Sequence, residues 1–233
     1  MKGPRTRAVP AAQTPGEARR PRFRRQLPQQ RRAALIAATI ECLKRYGHDG
    51  LSIRTISAQA GVSVGLINHH FPNKDELVAA AFSHFNRELA DCLEAAAARA
   101  HSPAARLRAF LEASFSPPNL DADVLAVWVV FWGLYRHSRP IRRVQRETDT
   151  DHVRLVRGLL ADLLGKGTDG GRGRGRAGGV NLRLAAIGLT ALLDGLWLEW
   201  CLEPGKFRPR EAVALCEGWV DCLRRRAAGW NSA

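Results

Sequence analysis

Cysteine is scarce and scattered in this chain of 233 residues, at positions 42, 92, 201, 216 and 222. None stands in a C-x-x-C pair, and no histidine cluster gives the spacing of a zinc site. An odd count of separated thiols excludes a disulfide framework and fits reduced core cysteines in a cytoplasmic protein. No uncharged apolar run reaches 18 residues, so no transmembrane span and no membrane partner are expected. Arg19-Arg20 lies in a basic N-terminus with no apolar segment behind it, which excludes an export signal. No alternating strand pattern occurs anywhere, leaving an all-α fold as the expectation. Acids are also missing from one short stretch, Ser63 to Asn73.

What is present is basic, but unevenly so. The net charge is +14; residues 1–32 hold ten Lys or Arg against one Glu, and residues 165–179 add a further +3. Only +2 remains for everything else. The basicity belongs to two segments rather than to a charged fold. Residues 1–28, rich in Pro, Arg, Ala and Gln, read as a disordered arm. Such an arm can follow DNA phosphates through counterion release, or stay a solvated tail. Residues 165–179 hold eight glycines in fifteen positions and read as a flexible Gly-Arg loop.

The acid-free stretch lies inside LSIRTISAQAGVSVGLINHHFPNKDEL (51–77). Ser52 is a good N-cap. Ile56 and Ala60 fall on one face, Gly61 suits a left-handed helix end, and Ser63 caps again. Pro72 stops the second helix, and Asn73 with Glu76 forms a capping box for a third. Two short helices around a glycine turn make a helix-turn-helix. A neutral first turn leaves N–H groups open to phosphate. DNA-facing candidates are Ser63, Val64, Gly65, Asn68 and His69 on the second helix. Arg54, Thr55 and Lys74 are phosphate candidates. Asn68 is the base reader, and Val64 suits a thymine methyl. Arg31 and Arg32 could also touch the DNA backbone, or equally be merely solvated.

AGVSVGLINHHFPNKDEL resembles the signature of the TetR family of bacterial transcriptional regulators, through Gly61, Val62, Ser63, Gly65, Ile67, His69, Phe71, Lys74 and Leu77. Asn68 departs from it, since many members carry Tyr there. The resemblance runs from about Gln30 to the C-terminus. It implies a helix-turn-helix head (29–75), a bridging long helix, and a larger all-α ligand-binding and dimerisation body (76–230). It also implies a homodimer through the last two helices, acting as a repressor on palindromic operator DNA until a small-molecule effector releases it. Val127–Val156 and Ala186–Leu202 are similar to the bodies of BetI-type, choline-responsive regulators of glycine betaine synthesis.

Helical spacing fills in the rest. Ile36, Ile40 and Leu43 form a first-helix stripe expected to pack on Ile56 and Ile67. Leu77, Ala81, Phe85, Leu89 and Leu93 recur along a helix from Asn73 to about Ala100. Further helices are expected to about Phe115, over Asp121–His137, over Ile141–Leu164 with Pro140 as a stop or kink, over Val180–Leu202, and from Pro209 to about Ala228. The last carries Ala212, Leu215, Cys216, Trp219 and Leu223 on one side. Trp128, Trp132 and Tyr135 share a face at i, i+4 and i+7, and Asp194 and Trp197 lie three apart. Aromatic faces beside a carboxylate suit a quaternary ammonium ligand. Aromatics at this spacing equally build a core, and Asp194 equally fits a dimer face. An apolar effector, as in regulators of efflux or lipid metabolism, is the alternative ligand class. No cofactor, metal or catalytic residue is expected. GVSVG (61–65) matches the G-x-S-x-G nucleophile elbow, but that motif needs a preceding strand.

Overall fold

The computed structural model describes residues 27–165, 176–177 and 179–230. Among these are nine helices: α1 (Pro28–Tyr46), α2 (Ile53–Ala60), α3 (Val64–His70), α4 (Lys74–Ala98), α5 (Pro103–Ser114), α6 (Ala122–Tyr135), α7 (Arg139–Leu164), α8 (Leu182–Leu202) and α9 (Pro209–Trp230). The arm's residues 1–26 and most of the Gly-Arg loop lie outside the described residues. At the loop's end, Arg176–Ala177 pairs antiparallel with Val180–Asn181. The expected helix at Val180 therefore starts at Leu182, capped by the Asn181 side chain accepting from the Leu184 N–H at 3.1 Å.

Helix boundaries follow the local chemistry. Leu27 and Pro28, assigned above to the arm, open α1: proline sits in the first turn, where its missing N–H costs nothing, and the Gln30 side chain accepts from the Leu27 N–H. Gly61 adopts φ 63°, ψ 37°, the left-handed conformation a C-cap needs. Pro140 neither ends nor kinks a helix. It opens α7 behind Ser138, whose side chain accepts from the Ile141 N–H.

Two apolar clusters hold the chain together. In the first, Leu35, Ile40, Leu43, Ile56 and Ile67 pack as a three-helix core, with Ile36 partly buried beside them. This core does not close on itself. It continues through Leu77, Phe82 and Phe85 of α4 into Val127 and Phe131 of α6 and Ile141 and Val144 of α7. Head and body thus share one packed interior. The second cluster joins α4, α5, α7, α8 and α9 around Leu93, Phe110, Leu160 and Leu189. On α9 the buried side is Ala212, Val213, Cys216 and Val220, whereas Leu215 points outward at 57% exposure. Of the expected stripe, Ala212 and Cys216 are buried and Trp219 and Leu223 pack partly buried against the same core, so only Leu215 falls outside it. α8 is long and apolar enough, by length and composition, to meet the criterion for a membrane span, with 22% of its apolar window buried in the chain. Its few charges are too sparse to break that window. Gly188 lets α8 and α9 meet closely: a Cβ there would lie 2.9 Å from the Trp219 ring.

Candidate functional site

Two places in the fold gather chemistry: the surface of α3 and a cavity in the body. The first is built by local hydrogen bonds. The Ser52 side chain accepts from the Thr55 N–H at 3.1 Å, and the Thr55 hydroxyl oxygen accepts from the Ser52 N–H at 2.8 Å. This box fixes α2 and engages Thr55 inside the turn, within reach of the Gly50 and Ser52 carbonyls. Ser57, buried, donates to the Val62 carbonyl and locks the turn after Gly61. The Ser63 side chain accepts from the Leu66 N–H at 3.3 Å, which leaves its own hydroxyl proton to donate outward.

Beyond this turn, Ser63, Val64, Gly65, Asn68 and His69 are all exposed, as is Arg54, while Ile67 anchors α3 in the core. No acid lies in the first turn of α3. Lys74 is half-buried and donates to the Leu51 carbonyl at 3.4 Å. Of the side chains expected to face DNA, all are exposed except Thr55 and Lys74, which are half-buried and hold the turn together. Arg32 grips the far end of α3: Nη1 donates to the His70 carbonyl at 3.2 Å, and the guanidinium covers the Phe71 ring. The expected capping box at α4 is half made. The Asn73 side chain accepts from the Glu76 N–H at 2.9 Å, but the Glu76 carboxylate turns to Arg143 of α7 at 3.3 Å. Ser63 follows helix α2 and not a strand, so the elbow geometry of a hydrolase is missing.

The second place is a cavity of about 630 Å³ between α4, α5, α6, α7 and α8, within the range of small-molecule sites. Trp128, Trp132, Asp194 and Trp197 all line it. Tyr135 does not. It shares their helix face but lies seven residues, about 10 Å, along the axis from Trp128 and passes the cavity's end. Trp128 and Trp132 sit with ring centroids 5.8 Å apart, and Trp128 also meets Phe82 and Phe85 edge-on at 5.5 and 6.0 Å. The Trp197 indole N–H is fixed by the Ser114 carbonyl at 2.8 Å, leaving its ring to the cavity.

Seven carboxylates line the cavity against three arginines. Arg106 pairs with Asp162 at 2.8 Å and Arg154 with Asp151 at 2.6 Å, which leaves an acidic excess. Asp194 opens onto the cavity but is closely surrounded by protein. That burial, with Asp149 nearby, pushes its carboxyl up to about 6. Burial holds His152 below its ordinary value, opposed by Asp149. Helical spacing alone does not reveal this wall, because its acids come from α4, α7 and α8 together.

Among the described residues, three buried side-chain polar atoms have no partner: Asn86 Oδ1, Trp128 Nε1 and Thr190 Oγ1. All three residues line this one cavity. A helix-turn-helix head sharing its core with a cavity-bearing helical body is the architecture of a ligand-controlled DNA-binding regulator.

Comparison with known proteins agrees. Residues 35–81 match the model of bacterial regulatory proteins of the tetR family, and residues 103–225 that of the BetI-type transcriptional repressor C-terminal domain. The HTH-type transcriptional regulator BetI of Burkholderia thailandensis is 34% identical over 194 residues, 83% of this chain and 93% of that one. A crystal structure assigned as a transcriptional regulator from Pseudomonas aeruginosa PAO1 superimposes with TM-score 0.77 at 44% identity, covering 88% of this chain and 95% of that one. A Saccharomonospora viridis regulator, solved in complex with choline, shares the fold with TM-score 0.68 at 18% identity, covering 83% and 96%. The chain belongs to the TetR family of transcriptional regulators, with a BetI-type C-terminal domain.

Proposed function

We propose that this repressor binds a palindromic operator as a homodimer and is released by a quaternary ammonium cation of the choline type. The observation that carries the ligand is the cavity wall: three tryptophans, Trp128, Trp132 and Trp197, with Asp194 and Asp149 beside them. Aromatic faces attract a desolvated cation, each contributing about 0.5–2 kcal/mol. The acidic excess repels an anionic ligand and disfavours a purely apolar one. The choline-bound Saccharomonospora viridis neighbour and the BetI relatives support the same reading.

For the dimer, the supporting feature is the uncovered apolar face of the last two helices, with Leu184, Ile187, Leu198, Leu202 and Leu215 all exposed. Pairing these faces would set two copies of α3 in successive major grooves, with half-sites about 10 base pairs apart or a multiple of that. Asn68 would read a base, and Ser63 and Arg54 would hold phosphates. The ligand acts to the extent that it binds two arrangements of the long helix α4 unequally. Footprinting on the chain's own upstream DNA tests this. Protection of a palindrome that choline removes is the expected result; protection indifferent to choline rejects the ligand and keeps the DNA reader.

A further inference from the structure

Asn86 sits on α4 with 4% of its surface exposed, between Phe82, Phe85 and Leu89. A leucine would fill such a place and leave no polar atom behind. Its amide meets α7, with Nδ2 placed to donate to Thr148 Oγ1 at 3.0 Å. The atom without a partner is then Oδ1, an acceptor. A covered acceptor left unpaired is costly, so a ligand that completes it is favoured over one that cannot. Trp128 Nε1, a donor, is in the same condition and lines the same cavity. The open acceptor of Asn86 complements a ligand group that gives a hydrogen bond. On a quaternary ammonium cation, which has no N–H, that group is a hydroxyl.

We infer that Asn86 is the specificity-determining residue of the cavity, its Oδ1 accepting from a hydroxyl on the bound cation; this rests on the cation reading above. Thr148 is a positioning residue that aims the amide. Oδ1 is covered by the cavity wall, so the hydroxyl engages it as α4 and α7 adjust around the ligand. A carboxylate in place of the hydroxyl would meet Oδ1 and the acidic wall as a repelling acceptor. An alkyl group would leave Oδ1 unpaired.

The test is calorimetric titration of the full chain with choline and with n-propyltrimethylammonium, in which a methyl replaces the hydroxyl at equal size. The wild type is expected to prefer choline by about tenfold to a hundredfold, the cost of a buried acceptor left unpaired. Asn86→Leu should erase that preference while still binding n-propyltrimethylammonium, and Asn86→Asp, which keeps an acceptor, should retain it. Thr148→Val should lower the preference without touching the ligand, and decides the matter if Asn86→Leu fails to fold. Equal wild-type affinity for the two cations overturns this inference and leaves the cation reading intact. So does a preference unmoved by both Asn86→Leu and Thr148→Val. Binding of neither cation overturns both.

Discussion

The guanidinium of Arg32 lies 4.1 Å from the centroid of the Phe71 ring, and its Nη1 donates to the His70 carbonyl at 3.2 Å. The last carbonyls of a helix are unpaired and carry partial negative charge, so a cation there closes α3 from behind. Phe71 is itself buried, at 1% exposure. Arg32, for which the sequence alone left a DNA-backbone contact and plain solvation both open, ties α1 to the end of α3. Arg32→Ala should lower stability by about 1–2 kcal/mol in urea unfolding of the free protein. It should also weaken operator binding with an unchanged salt slope. A flattened salt slope with unchanged stability would make Arg32 a phosphate contact instead.

Exposure separates the roles proposed for the DNA-facing side chains. Asn68 is exposed on α3 and able to pair bidentately with adenine. Asn68→Ala should cost about 1–3 kcal/mol against the preferred operator and relax one base position. Arg54→Ala and Lys74→Ala should weaken all sequences alike and reduce the salt slope by about one each. For Lys74 a stability loss is also expected, through its bond to the Leu51 carbonyl. Fluorescence anisotropy on operator variants at several salt concentrations checks all three, and base-selective loss for Lys74 would contradict its assignment.

The head was legible because its signals are local. Ser52, Gly61, Ser63 and Asn73 each act within three or four residues of their own position. Glu76 shows where this stops: its partner Arg143 is 67 residues away, and nothing in the spacing distinguishes that bond from a capping box. Pro140 likewise reads as a stop or a start until the cap at Ser138 is seen. The tryptophans were found by their period, but Tyr135 shows that a shared helix face is not a shared site. Asn86 could not be found, because it stands among the polar residues Ser83, His84, Arg87 and Glu88, and its role depends on Thr148, 62 residues on. The acidic wall was hidden for the same reason, being assembled from several helices.

The Asp194 carboxyl, raised to about 6, sets a pH dependence. Its folded-state pKa lies above its ordinary value, so its contribution to the unliganded fold is full below that ordinary value and is lost as pH rises through about 6. A cation needs the ionised form, so ligand affinity runs the other way and increases as pH rises. Between about pH 5 and about pH 7 choline binding should tighten about tenfold, with proton release at the lower end. Protonation of His152, lowered by burial, adds repulsion in the same direction. Titration in buffers of different ionisation enthalpy measures both affinity and protons. Asp194→Asn should bind more weakly and lose most of the slope; a wild-type affinity flat across this range would remove Asp194 from the ligand's surroundings.

The apolar face of α8 and α9 divides into two kinds of residue. Gly188 lies under Trp219 inside the protomer, where an added Cβ would come within 2.9 Å of the ring. Leu184 and Leu202 stand outward on α8 at 55% and 73% exposure among the described residues. A charge at either outward site disturbs only a partner, whereas bulk at Gly188 disturbs the helix pair itself. Leu184→Glu with Leu202→Glu should therefore sediment as a folded monomer with an unchanged unfolding midpoint when dilute. Operator binding should fall by about a hundredfold or more, because a monomer reaches one half-site and loses the effective concentration of the second. Gly188→Leu should lower stability first and association only as a consequence. A double variant that stays dimeric at micromolar concentration would move the interface away from α8.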